Sequence, residues 1–166
     1  MSSYIKLIIF IVVLLLISLA IVFIDSSVEN INHSMPSISD GIVQGDKDYN
    51  ESVELLNERS FDEANQKAIS AGDNYNDSLK KLEEIRQKYD KDLHEVHKDY
   101  IGTTMDELNL KLKAVDELKE AIYYLKMYYN YTGSTHGTEA NDIMQDAVNY
   151  QNERNEIVQE NPKLFT

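Results

Sequence analysis

The chain of 166 residues has no Cys and no Trp, only two Pro and six Gly, and 16 Lys plus Arg against 29 Asp plus Glu, for a formal net charge of -13 at pH 7. Without Cys there can be no disulfide scaffold, no thiolate metal site, no thiol nucleophile and no lipid-modified cysteine. The shortage of bases excludes nucleic acid as a partner, because phosphate binding needs a stripe of Lys and Arg. No Gly-rich phosphate loop and no Ser set in a nucleophile elbow occurs. Acidic groups such as Asp46/Asp48/Glu51 and Asp62/Glu63 lack the spacing and the Gly of a calcium loop and read as solvated faces. Carboxylates are so numerous that no pair stands out as general acid and base. The chain is therefore expected not to be an enzyme, and no cofactor is expected.

One long hydrophobic run is present. Residues 7–24 read LIIFIVVLLLISLAIVFI, with Ser18 the only hydroxyl and no charge. As a helix the run would span roughly 27 Å, close to the apolar thickness of a bilayer. It has no polar stripe of the kind a buried helix of a globular protein carries. Lys6 precedes it, whereas Asp25 and Glu29 follow it. The distribution of positive charge predicts residues 1–6 as a cytoplasmic stub, 7–24 as a single-pass transmembrane anchor and the remainder outside the cell. Ser18-Leu19-Ala20 also resembles a signal-peptide cleavage site, but the apolar Ile21-Val22-Phe23-Ile24 beyond it favours a retained anchor.

Outside the run the pattern is helical nearly throughout, and alternating β-branched residues are missing. Residues 25–39 are polar, and Pro36 is expected to break any helix running out of the membrane, which predicts a spacer, either irregular throughout or helical before Pro36. An acidic all-α domain is expected over 40–161, with a tail at 162–166. Five antiparallel helices are predicted. The first runs from about Asp40 to Glu58. The second starts at the capping box Ser60-x-x-Glu63 and is ended or bent by Gly72. The third runs from about Asn74 to Ile101 and is closed by Gly102. The fourth starts at a second capping box, Thr104-x-x-Glu107. The fifth starts at Thr138, after a loop Thr132-Gly133-Ser134-Thr135-His136-Gly137, and stops at Asn161-Pro162. Helices three to five would form a bundle, with one and two as a hairpin on the membrane side.

Tyr49-Asn50-Glu51-Ser52-Val53 returns about 26 residues later as Tyr75-Asn76-Asp77-Ser78-Leu79. Either a helical unit has been duplicated, or two amphipathic helix starts have converged. In the second predicted helix, Phe61-x-x-Ala64-x-x-x-Ala68-x-x-Ala71 spaces an aromatic and small residues as the second helix of a tetratricopeptide unit does. Residues 40–73 therefore resemble a single tetratricopeptide-like hairpin, although the family's Trp and Gly in the first helix and its closing Pro are missing. That resemblance implies close helix packing, and one unit does not imply a peptide-binding groove. The whole plan of N-terminal anchor, Asn- and Tyr-rich helical ectodomain and no Cys is also similar to small surface proteins of methanogenic archaea, a likeness that brings no activity with it.

Among the four His, only His94 and His97 are neighbours. On a helix they would share a face with Asp90, and two imidazoles and a carboxylate could hold a divalent cation. A solvated polar face is the plainer reading. Tyr123, Tyr124, Tyr128, Tyr129 and Tyr131 cannot all face one core. They form a binding patch, or two or three of them line the bundle and the rest lie outside. Sequons occur at Asn32, Asn50, Asn76 and Asn130, of which Asn32 and Asn130 are the accessible glycosylation candidates. The function expected is a membrane-anchored, extracytoplasmic interaction or structural module at the cell envelope, with a protein partner or self-association. The alternative is an extracytoplasmic ligand- or metal-binding protein, a sensor or scavenger, using the His94/His97 face or the Tyr-rich end of the fourth helix.

Overall fold

A computed structural model describes residues 29–165. The predicted anchor, 7–24, lies outside the described residues, and no helix among them is long and apolar enough to cross a membrane. The fold is all-α, with four long helices where five were expected: α1 (Glu29–Asn57), α2 (Phe61–Tyr89), α3 (Glu95–Lys126) and α4 (Asn130–Glu160). A short 3-10 turn, Pro162–Leu164, follows. Partners on successive helices run in opposite directions. Ser52 meets Ala64 while Ser78 meets Ile38, and Glu117 meets His136 while Glu107 meets Arg154. The result is an up-down-up-down bundle.

The difference in helix count has one cause: an unbroken buried stripe outweighs a local breaker. On α1, Ile31, Met35, Ile38, Ile42, Tyr49, Val53 and Leu56 are all buried. Residues 29–39, expected as a spacer, thus form the first turns of α1, and Pro36 sits inside it. On α2 the stripe Ala64, Ala68, Ala71, Tyr75, Leu79, Leu82 and Ile85 passes Gly72 without losing step. Helices two and three of the sequence reading are therefore one. The true break falls at 90–94, where Asp90 caps α2 and His94 caps α3. α3 then runs straight through Gly102, and Thr104 is an interior residue whose Oγ1 donates to the Tyr100 carbonyl at 2.7 Å. The expected loop 132–137 belongs to α4, whose buried face is Gly133, Gly137, Ala140, Met144, Ala147 and Gln151. Thr138 likewise caps nothing. Its Oγ1 donates back to the Ser134 carbonyl. Ser60 does stand at the N-cap of α2, but its side chain makes no capping hydrogen bond. The α1/α2 hairpin packs against the α3/α4 hairpin chiefly through α2 and α3.

The internal repeat has a structural meaning. The Ser52 hydroxyl on α1 donates to the Ala64 carbonyl on α2 at 2.7 Å, and the Ser78 hydroxyl on α2 donates to the Ile38 carbonyl on α1 at 3.2 Å. Moving Ser52 by the repeat length gives Ser78, and moving Ile38 by the same length gives Ala64. The two helices therefore offer each other the same contact, related by an approximate two-fold axis across the hairpin. The repeated Tyr49 and Tyr75 are both buried, at 4% and 0% exposure. Close approach makes this possible. A Cβ added to Gly45 would lie 2.5 Å from Cε1 of Tyr75, and one added to Gly41 would collide with the Ser78 hydroxyl.

Two glycines thus make opposite predictions. Gly45→Ala should cost about 1–3 kcal/mol, because the Tyr75 ring has to move. At Gly102 an added Cβ meets nothing within 4 Å. Gly102→Ala should therefore stabilise the bundle by about 0.5–1 kcal/mol through helix propensity. Urea unfolding of the two variants checks both signs. A loss of stability in Gly102→Ala would contradict the continuous α3.

Candidate functional site

The acidic positions read as solvated faces divide sharply. Asp46 and Asp48 are 3% and 2% exposed. Asp48 lies between α1 and α2, where Lys67 Nζ donates to it at 2.8 Å, Ser70 Oγ at 2.8 Å, Gln44 Nε2 at 3.1 Å and Asn74 Nδ2 at 3.3 Å. Burial works against its charge, but the donors from Lys67, Gln44 and Ser70 outweigh it and hold the carboxyl below its ordinary value.

Asp46 belongs to a network that reaches all four helices. Lys111 Nζ on α3 donates to its two oxygens at 2.7 and 3.0 Å, and Tyr75 Oη on α2 donates at 2.6 Å. The same Lys111 lies 2.9 Å from Glu107 Oε1, one turn back on α3. Glu107 Oε2 lies 3.1 Å from Arg154 Nε on α4, a close ion pair whose angle falls off the hydrogen-bond line. Arg154 also donates to Tyr100 Oη at 3.2 Å. Lys111 and Glu107 are both 0% exposed. Two acids and two bases balance. Burial pushes Asp46 up against the pull of Lys111. Burial also opposes the charge on Lys111, yet Glu107 and Asp46 together hold the ammonium above its ordinary value. Asp46, Glu107 and Lys111 are almost wholly enclosed, and Arg154 at the margin of the set is 12% exposed.

The face proposed for Asp90, His94 and His97 is not assembled. The helix breaks between Asp90 and His94. His94 Nδ1 accepts the Val96 backbone N–H at 3.2 Å as the α3 cap. His97 is buried, with Nε2 3.0 Å from the Leu164 carbonyl and the ring edge-on to Phe165 at 5.2 Å. The tail 162–165 covers His97 alone, while Asp90 and His94 stay exposed and the two imidazole rings stand 6.1 Å apart. Nearby, an open groove lined by Arg86, Asp90, Lys98, Asp106 and Glu153 carries both signs of charge. Of the glycosylation candidates, Asn130 is exposed as the first residue of α4, and Asn32 lies in α1. At Asn50 and Asn76 the sequon hydroxyls are the buried helix-to-helix donors Ser52 and Ser78.

The accessible chemistry gathers at the α3/α4 tip. None of the five clustered tyrosines enters the core, although two or three were expected there. Tyr123, Tyr128, Tyr129 and Tyr131 are 55%, 83%, 63% and 87% exposed, beside Met127 at 49%. Tyr128 turns the chain with a φ of 64°, in the left-handed region. Tyr124 is the hub: it meets the rings of Tyr123 at 5.3 Å and Tyr129 at 6.3 Å, and it stacks on His136 at 5.3 Å with 2° between planes. His136 Nδ1 lies 2.6 Å from Glu117 Oε2. Glu139, one turn on, completes a set whose donor atoms all lie within 4.8 Å of one another. Among the described residues, these three could hold a metal. The sequence reading missed them because His136 had been placed in a loop.

Asp48 gives a prediction with a defined sign. A carboxyl held below its ordinary 3.8 adds stability that is full above that pH and lost as pH falls through the lowered folded value. Asp48→Asn should therefore cost about 2 kcal/mol near neutrality, and the gap to wild type should close below pH 3.8. Urea titrations at a series of pH values measure it. A gap independent of pH would contradict the assignment.

No protein-family model matches this chain, and no curated protein and no solved structure shows significant similarity to it.

Proposed function

We propose that the chain is a single-pass, extracytoplasmic interaction module of the cell envelope, without enzymatic activity, whose binding end is the tyrosine-rich α3/α4 tip. The apolar run 7–24 supports the anchor. The observation that carries the rest is the position of the exposed aromatics. The N-terminus of α1 and the 126–130 turn lie at opposite ends of helices that run side by side. A helix of 29 residues is about 44 Å long. An anchor leading into α1 would thus hold the tyrosines about that far from the bilayer. Tyr is the side chain best suited to exposed docking, since it buries a rigid apolar ring while keeping a polar edge. The net charge of -13 keeps the domain off anionic lipid. The partner is a protein or a second copy of the chain.

Photo-crosslinking in native membranes tests this reading. A photoreactive residue in place of Tyr129 should give a discrete adduct, one in place of Glu153 near the other end of the bundle should not, and Tyr128→Ser with Tyr131→Ser should remove the adduct. Equal labelling from both positions, or none from Tyr129, would defeat the proposal. Protease added to intact cells should digest the helical domain, and protection from it would invert the topology.

A further inference from the structure

We infer that Glu117, His136 and Glu139 form a binding site for one divalent transition-metal ion, Zn(II) in chemical class, that clamps α3 to α4 directly beneath the tyrosine tip. The ligands come from two helices and their approach is built into the packing. At Gly133, one turn before His136, an added Cβ would lie 2.6 Å from Cγ of Leu125 and 3.0 Å from its backbone nitrogen. Only Gly lets α4 come this close to α3, and this closeness lets the short His136 side chain reach Glu117. His136 and Glu139 are three apart, so both project from one side of α4.

The imidazole is also fixed in plane. Tyr124 covers one face of the ring, parallel within 2°. The Glu117 carboxylate meets Nδ1 at 2.6 Å. Both side chains of that pair are 27% exposed, so an ion can reach them from solvent. Two ligands of one tetrahedral ion stand about 3.4 Å apart when each bond is about 2.1 Å. The pair therefore has to open by a little under 1 Å, within the reach of side-chain rotation, for a cation to take the place of the proton between them. Two carboxylates neutralise a divalent charge, and the imidazole nitrogen favours Zn(II), Ni(II) or Co(II) over Mg(II) and Ca(II), which prefer oxygen alone. Three protein ligands leave a further position for water or for a group brought by a partner.

The inference is independent of where the chain resides, because it concerns the purified protein. Full-length chain in mild detergent is titrated with Zn(II) in a calorimeter and with Co(II) by visible absorption, where no thiolate band can interfere. One ion per chain is expected, with a rise in melting temperature and a change in tyrosine fluorescence from the Tyr124 stack. His136→Ala and Glu117→Gln should each weaken binding about tenfold or more. The exposed Glu139→Gln should weaken it without disturbing the fold, which covers the case of a misfolded His136→Ala. His94→Ala should bind as wild type. Millimolar Mg(II) should leave the fluorescence unchanged. Saturation that survives both His136→Ala and Glu139→Gln, or no saturable heat at micromolar protein, overturns the site.

Discussion

The bundle depends on four charges that are almost wholly removed from water. Asp46, Lys111, Glu107 and Arg154 sit on three helices, and Tyr75 brings in the fourth. Each would be prohibitively costly alone in an apolar interior, and together they balance. The arrangement can be satisfied in one register only. Sliding α1 by a turn would move Asp46 away from Lys111 and leave Glu107 and Lys111 to pair within α3, with Arg154 in excess. An apolar core of the same volume would tolerate such a slip far better. The network therefore supplies uniqueness more than raw stability, and the surrounding apolar stripe supplies the drive to collapse.

Around that network the chain uses small side chains to bring helices together. Gly41, Gly45, Ser52, Ala64, Ala68 and Ala71 do so in the α1/α2 hairpin, and Gly133 does so between α3 and α4. In the hairpin, close contact lets a serine on each helix reach the backbone of the other, and the repeated Tyr-Asn-acid-Ser string encodes that reciprocity. At the other hairpin the same closeness brings His136 to Glu117. One packing device thus serves structure in one half of the molecule and presents accessible ligands in the other.

The helical class and most of the buried stripe were legible in the sequence, because apolar residues at steps of three and four need no tertiary information. Ala64, Tyr75, Leu82, Leu108, Leu118 and Ala147 all face inward as the periodicity requires. What was not legible has a common physical origin. Gly72, Gly102, Gly133 and Gly137 read locally as breaks, yet each lies within a helix, and Gly133 and Gly137 lie on its buried face. Asp46 read as a solvated face and Glu107 as a capping residue, and nothing marked Lys111 or Arg154, because a buried charge is recognisable only through the partner that neutralises it, and these partners are 47 to 65 residues away or one turn along the helix. On α4 Met144 and the polar Gln151 are buried, whereas the apolar Ile143 and Tyr150 beside them are only half-buried. The candidate site was half legible. The tyrosine cluster stood out by composition, whereas Glu117, His136 and Glu139 meet only once α4 is known to begin at Asn130.

The most direct test of the account is a double-mutant cycle on the central pair, with Asp46→Asn, Lys111→Met and the combination unfolded in urea at neutral pH. If the buried network fixes the bundle, the two substitutions couple by about 2 kcal/mol or more, because the second relieves a charge that the first left unpaired. Additivity within about 0.5 kcal/mol would mean that the two groups do not meet in the folded chain, and the four-helix register built on them would be wrong.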